Sequence, residues 1–390
     1  MVMKRIALTL GVLLVLAFVA VFFVVPGPMI STAARTGEGM LFAEIDGRDA
    51  VVIAYDDSGF TGVGLFVGGG QDGRIAAFDL DTGEAIWDRG LGESVAQTRM
   101  IAAGEKFAYL QTSSGFRVFA LADGSTVANE EDIPGLGDFD WLTTRFAFSP
   151  SQNAILFSAE EDVVKAIPLD TVEVVEVDAA VHDQWVCVLT WNGVSYAESD
   201  AEAVLVKQLP TGGEVLGFGV PSGSPPGTPG KRLARLNDDG SGVSVGPETF
   251  VEPGFVAQSV LNEPQPGACS SNASDRDVFP DGRAQAQPLG ADAGFAVIAH
   301  AQNARTEDQQ ITIVDAASGD VLGSNPAEGG LVDAATGPSG QSVVIVDRFL
   351  PGALPSWGTT PVTSTLLLVA TDGSMREIVL APHGWFGLPW

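Results

Sequence analysis

Three histidines, two cysteines and a large surplus of carboxylates are the side chains of this 390-residue chain best suited to chemistry. A zinc centre needs Cys and His in close pairs that one turn or hairpin can aim at the metal. His182, His300 and His383 are far apart, and the sequence contains no HxH, HxxxH or CxxC. Asp79-Leu80-Asp81 opens like a calcium loop but lacks the later oxygen ligands and the terminal Glu. The clusters Glu130-Glu131-Asp132 and Glu160-Glu161-Asp162 read as solvated loop faces. There is no GxSxG, and spacing pairs no Ser or Cys with a His. The sequence therefore assigns no catalytic, cofactor-binding or metal-ligating residue, and no cofactor. A hydrolase would need carboxylates gathered from distant strands, which leaves no local motif.

Cys187 and Cys269 stand 82 residues apart. In an oxidising compartment they invite one disulfide, tethering a Pro/Gly-rich loop to the apolar run WVCVLTW, which reads as a strand. His182, just before that run, reads as a turn residue.

Which compartment is set by the N-terminus. Residues 6–25 are twenty residues without a charge, preceded by Lys4-Arg5 and followed by Pro26-Gly27-Pro28. At about 1.5 Å per residue this run spans a hydrocarbon core of about 30 Å. The basic pair stays cytoplasmic, which places the rest of the chain outside. A cleaved signal peptide is the alternative, with small residues at Ser31-Thr32-Ala33-Ala34. The net charge of −29 argues against a nucleic-acid partner, because phosphate binding rests on Lys and Arg.

The elements that must position any site come from a repeat. Residues 63–92 read as strand, turn, strand, turn, strand, with Gln71-Asp72-Gly73 and Asp81-Thr82-Gly83 as the turns. The FDLDTG stretch ending at Gly83 recurs as FALADG ending at Gly124 and as IPLDTV ending at Val172. It returns as KQLPTG ending at Gly212, VDAASG ending at Gly319 and LVATDG ending at Gly373. Weaker turns occur at 237–240 and 279–282. A period of about forty residues, each several short strands, predicts an all-β chain forming a β-propeller. Seven blades fit best, with six or eight as alternatives, and helical periodicity is absent after residue 28. The expected organisation is a cytoplasmic tip and transmembrane anchor (1–28) and a linker (29–39). The propeller follows (40–380) with loop insertions near 219–231 and 262–290, then an aromatic tail (381–390). Residues 40–56 alternate well enough to close the ring.

The run from Gly73 through Asp79, Thr82 and Gly83 to Trp87 resembles the repeat of the pyrroloquinoline quinone (PQQ)-like β-propellers. That superfamily includes quinoprotein dehydrogenases and the outer-membrane assembly lipoprotein BamB. Elsewhere Val127, Val175, Leu216 and Leu322 replace the Trp. For a quinoprotein the resemblance implies several Trp motifs, adjacent cysteines, an Asp base and a calcium site, and this constellation is not identifiable here. For a BamB-like protein it implies envelope protein assembly, although no lipid-attachment cysteine follows the hydrophobic run. Bottom-up, Trp87 is a packing residue between blades, and Asp79, Thr82 and Gly83 make a turn. The resulting expectation is a non-enzymatic, extracytoplasmic scaffold, held to the membrane by its N-terminal helix and binding an envelope protein. The alternative is a propeller hydrolase or quinoprotein-like oxidoreductase with its site in the central channel.

Overall fold

The computed structural model describes residues 33–58, 71–95, 98–136, 146–160, 163–190, 203–211, 214–220, 229–237, 241–260, 263–264, 285–304, 308–349 and 362–380. Blade 1 comprises β1 (Ala33–Thr36), β2 (Leu41–Ile45), β3 (Arg48–Ser58), β4 (Gln71–Asp79) and β5 (Ala85–Gly90). Blade 2 follows with β6 (Arg99–Ala103), β7 (Phe107–Thr112), β8 (Gly115–Ala120) and β9 (Thr126–Asn129). In blade 3 are β10 (Phe146–Ser149), β11 (Ala154–Glu160), β12 (Val163–Pro168) and β13 (Val175–Glu176). Helix α1 (Ala179–Thr190) and β14 (Val204–Val206) come next.

Blade 4 holds β15 (Leu209–Thr211), β16 (Glu214–Gly219), β17 (Gly230–Leu236) and β18 (Gly242–Ser244). Blade 5 is β19 (Phe250–Val260), β20 (Gln285–Pro288), β21 (Phe295–Ala301), β22 (Gln309–Asp315) and β23 (Val321–Ala327), with β14 paired to β19. A short pairing of β17 with β19 joins these two sheets. Blade 6 consists of β24 (Gly330–Thr336), β25 (Ser342–Phe349), β26 (Val362–Val369) and β27 (Met375–Val379).

Every blade is an antiparallel meander buried on both faces, which explains its near-continuous apolar strands. In β3, Ala50, Val52 and Ala54 pack into the core shared with blade 2, whereas Val51, Ile53 and Tyr55 pack toward blade 6. Alternation along the strand sends successive side chains to different neighbours. Similar cores join blades 2 and 3, 4 and 5, and 5 and 6. The first strand meets the penultimate one, β26, where Ala34 N donates to Thr363 Oγ1 at 3.1 Å and Thr36 N to Ser364 Oγ at 3.3 Å. This face-to-face stacking of sheets, closed between N-terminal and C-terminal strands, is a β-propeller.

The inner strands run the same way: Glu38 and Arg99 form a parallel bridge, with Glu38 N donating to Thr98 O and Met100 N to Glu38 O. Consequently the turns between first and second and between third and fourth strands gather on one rim. Second-to-third and blade-to-blade connections leave from the other.

Several expectations change. The all-β expectation gains α1, which contains both His182 and Cys187; WVCVLTW was read as a strand because apolar runs do not distinguish the two by periodicity. The stretch read as linker 29–39 contains β1, and the stretch read as an insertion near 262–290 contains β20. The KQLPTG copy overlaps β15, the first strand of blade 4, and residues 237–241 connect the third and fourth strands there. Gly212, Cys269, His383, the apolar run 6–25 and the tail 381–390 lie outside the described residues. Among the described residues no helix is long and apolar enough to cross a membrane.

Candidate functional site

The repeat residues come together as joints between blades. Asp79 Oδ1 accepts the N–H of Asp81 at 2.9 Å and of Thr82 at 2.8 Å, while Gly83 supplies the left-handed φ of 73° that closes the turn. Burial opposes the charge on Asp79, yet the Thr82 and Asp81 N–H groups and Arg48 hold its carboxyl below the usual range. Asp315 repeats the arrangement with Ala317 and Ser318 ahead of Gly319.

Trp87, on the outer strand of blade 1, is 5% exposed and donates its indole N–H to Leu121 O of blade 2 at 2.6 Å. Its ring lies over Gly124, where an added Cβ would sit 2.5 Å from a ring carbon. Leu322 of blade 5 covers Gly373 of blade 6 in the same way. Gly73 is required by the chain itself, since a Cβ there would lie 2.0 Å from Glu93 O. All of these are packing roles with no reactive group presented.

Two titratable groups that the sequence did not single out stand apart. Asp333, on the innermost strand of blade 6, is 4% exposed. One carboxyl oxygen accepts the N–H of Ala334 at 2.6 Å, and the other, Oδ2, has no partner among the described residues. Burial pushes its pKa up to about 7, against the smaller opposing effect of the Ala334 N–H. Such a carboxyl exchanges a proton near neutrality, the property a general acid or base needs. The hydroxyls Thr36 Oγ1 and Thr98 Oγ1, on or beside the inner strands of blades 1 and 2, are likewise buried without a partner among the described residues. The local signal for Asp333 was a carboxylate inside the apolar run GLVDAAT.

The second group is His300 on β21. Its Nδ1 lies 2.9 Å from Ala301 O and its Nε2 2.9 Å from Thr312 Oγ1, which is 2.9 Å from Ser324 Oγ. The side-chain amide of Gln310 donates to Ser324. In one direction Nδ1–H donates to Ala301 O and Nε2 accepts from the Thr312 hydroxyl, while Ser324 Oγ accepts from Gln310 and also lies within donating reach of Ile311 O. That direction needs the neutral ring, and burial lowers the His300 pKa, in part offset by the Ala301 carbonyl. The edge of this ring meets Phe250 at 5.1 Å between centroids. Among the described residues no carboxylate orients this ring.

Other expected positions are dispersed. His182 lies 3.3 Å from Asp183 at the helix surface, and residues 130–132 form a short 3-10 turn. Among the described residues no three His, Cys, Asp or Glu side chains are grouped to hold a metal. Cys187 is disulfide-bonded.

No protein-family profile and no curated protein matches the sequence. Solved structures it is similar to include the apo AtxE2 isopeptidase, at TM-score 0.41 and 9% identity over 90% of this chain and 52% of that one. The chain thus spans about half the length of the isopeptidase. It is also similar to the β-propeller domain of the Trilobed protease from Pyrococcus furiosus, at TM-score 0.32, 9% identity, and 88% and 97% coverage. For the Cps50 (Swd1) β-propeller domain of Myceliophteria thermophila the values are TM-score 0.29, 9% identity, and 81% and 95% coverage.

Proposed function

We propose that this chain is a non-enzymatic, PQQ-like propeller of the cell envelope, anchored by residues 6–25 and presenting one rim to a partner protein outside the membrane. The observation that carries this reading is the set of long connections on an otherwise regular body. The strand ends flanking residues 59–70, 137–145, 221–228 and 350–361 lie on one rim, and those flanking 261–284 lie on the other, beside third-to-fourth turns of five or six residues. Binding surfaces are commonly built from long connections held on a rigid scaffold. Six blades are the proposed count: β15, inside the 207–212 copy, and the strands β17 and β18 that flank 237–241 belong to one sheet, so the spacing of turns overcounts by one.

Purification of the full-length protein from native membranes in mild detergent, followed by mass spectrometry, tests the role. A stoichiometric envelope protein is expected, lost when residues 1–28 are removed. Recovery of the full chain alone would overturn the scaffold reading. The second reading, a propeller hydrolase with its site on the axis, is favoured by Asp333. It requires that the full-length protein turn over an ester or glycoside panel and that Asp333→Asn abolish that turnover.

A further inference from the structure

The chain enters the propeller at a defined place on one rim. β1 pairs antiparallel with the far end of β3, Ala33 opposite Ser58, and its backbone donates to Thr363 and Ser364 at the start of β26. Ala33 therefore lies on the rim from which residues 59–70 and 350–361 depart, beside both. Only residues 26–32 separate it from the end of the apolar run at Val25. Fully extended, that link reaches about 29 Å at most. If the other rim faced the bilayer, the link would have to travel the height of the body, and β3, eleven residues long, covers about 34 Å between the rims. A sideways exit must first cross the three strand spacings of blade 1, about 14 Å.

The two rims also differ in chemistry. Residues 59–70 and 350–361 hold no Asp, Glu, Lys or Arg, in a chain where 18% of residues are charged. Phe60, Leu65 and Phe66 belong to the first and Leu350, Leu354 and Trp357 to the second. Connections farther round the same rim, at 137–145 and 302–308, do carry charges, so the apolar, uncharged pair is the one beside Ala33. Among the described residues, Phe349 at the end of β25 is a large apolar side chain exposed on this rim. On the opposite rim the turns carry exposed carboxylates at Asp46, Asp81, Asp123, Asp320 and Asp372. An anionic bilayer surface repels such a rim, whereas aromatic side chains are favoured where water meets lipid.

We infer that the propeller stands on the membrane with the Ala33 rim against the lipid surface, blades 1 and 6 nearest, and with the carboxylate-bearing rim turned away. This orientation rests on the proposed anchor at residues 6–25 and adds which face the bilayer meets. The occupant is the lipid itself, because a link of about 29 Å leaves no room for a globular domain between Ala33 and the bilayer. Apolar area that leaves water at the interface stabilises the contact in proportion to its extent. The anchor makes that contact intramolecular, so a weak affinity of the rim for lipid is enough to hold it. The opposite rim, with the connection 261–284, is left as the seat for the envelope partner.

Fluorescence quenching by lipid tests this. Full-length protein is reconstituted in vesicles of phosphatidylcholine with a minority of phosphatidylglycerol. A fluorophore is attached through an unnatural amino acid at Phe349 or Gly90 on the Ala33 rim, or at Asp372 or Asp46 on the other rim of the same two blades. Lipid spin-labelled at its headgroup is expected to quench the first pair about fivefold more strongly than the second. Equal quenching on both rims, stronger quenching at Asp46 and Asp372, or no quenching at any position while the protein floats with the vesicles would overturn the orientation and leave the anchor standing. A chain that does not float with the vesicles overturns the anchor and the orientation together. Two positions on each rim keep the comparison available where one labelled variant fails to fold, which circular dichroism reports.

Discussion

At the scale of single residues, Asp333 and His300 make opposite contributions to the dependence of stability on pH. A carboxyl raised from 3.8 to about 7 binds its proton more tightly in the folded chain. Its stabilising share is therefore complete below pH 3.8 and lost as pH rises through about 7. Asp333→Asn keeps the shape and removes the charge, so its melting temperature should exceed that of the wild type at pH 8 and match it only below pH 3.8. Thermal denaturation at the two pH values checks this, and an equal or lower value at pH 8 would place a compensating charge beside Asp333. His300 runs the other way. Its folded pKa lies below 6.5, so the stability it contributes is present above pH 6.5 and declines as pH falls through that value toward the lower folded pKa. Replacing His300 by Phe should make the melting temperature less sensitive between pH 7 and 5. Neither residue was legible as special, because its environment comes from strands far away in sequence. Trp87, by contrast, was read as a packing residue from its place after Gly83, and the structure puts its ring on the next blade.

At the scale of elements, the joint between an outer strand and the next blade's turn is the repeating unit of cohesion. Trp87→Ala removes a nearly buried ring and its bond to Leu121 O, and should cost about 3–5 kcal/mol, measured by urea unfolding. Gly124→Ala meets two obstacles, a φ of 70° and the Trp87 ring. The loss expected at Gly124 is more than about 1 kcal/mol, and pairing the change with Trp87→Ala should recover part of it, because the smaller side chain leaves room for the methyl. Full additivity of the two would show that the ring and the turn do not interact. The turns themselves were readable, since Asp followed by Gly encodes a local cap and a left-handed residue. Helix α1 was not readable: its stripe of Val181, Trp185 and Leu189 sits in a run so apolar that no polar face marks the helical period.

For the whole molecule, the proposed anchor predicts that deleting residues 1–28 moves the protein from the membrane fraction to the soluble one while its far-ultraviolet spectrum stays β-rich. Retention of the truncated chain on membranes would instead assign attachment to the propeller. The sequence by itself determined the propeller, the role of Trp87 and most third-to-fourth turns, because each rests on chemistry within a few residues or on a period the chain repeats; Gln71-Asp72-Gly73, read as a turn, instead opens β4. Tertiary structure alone decided which turns belong to one sheet, that β1 closes the ring against β26, and that α1 covers one face of blade 3. It also decided that one carboxylate near the axis keeps its proton close to neutrality. These outcomes depend on what each strand is buried against, and burial is set by segments hundreds of residues apart, such as Ala34 and Thr363. Local propensity fixes the pieces, while desolvation and shared apolar area fix their neighbours and their charge.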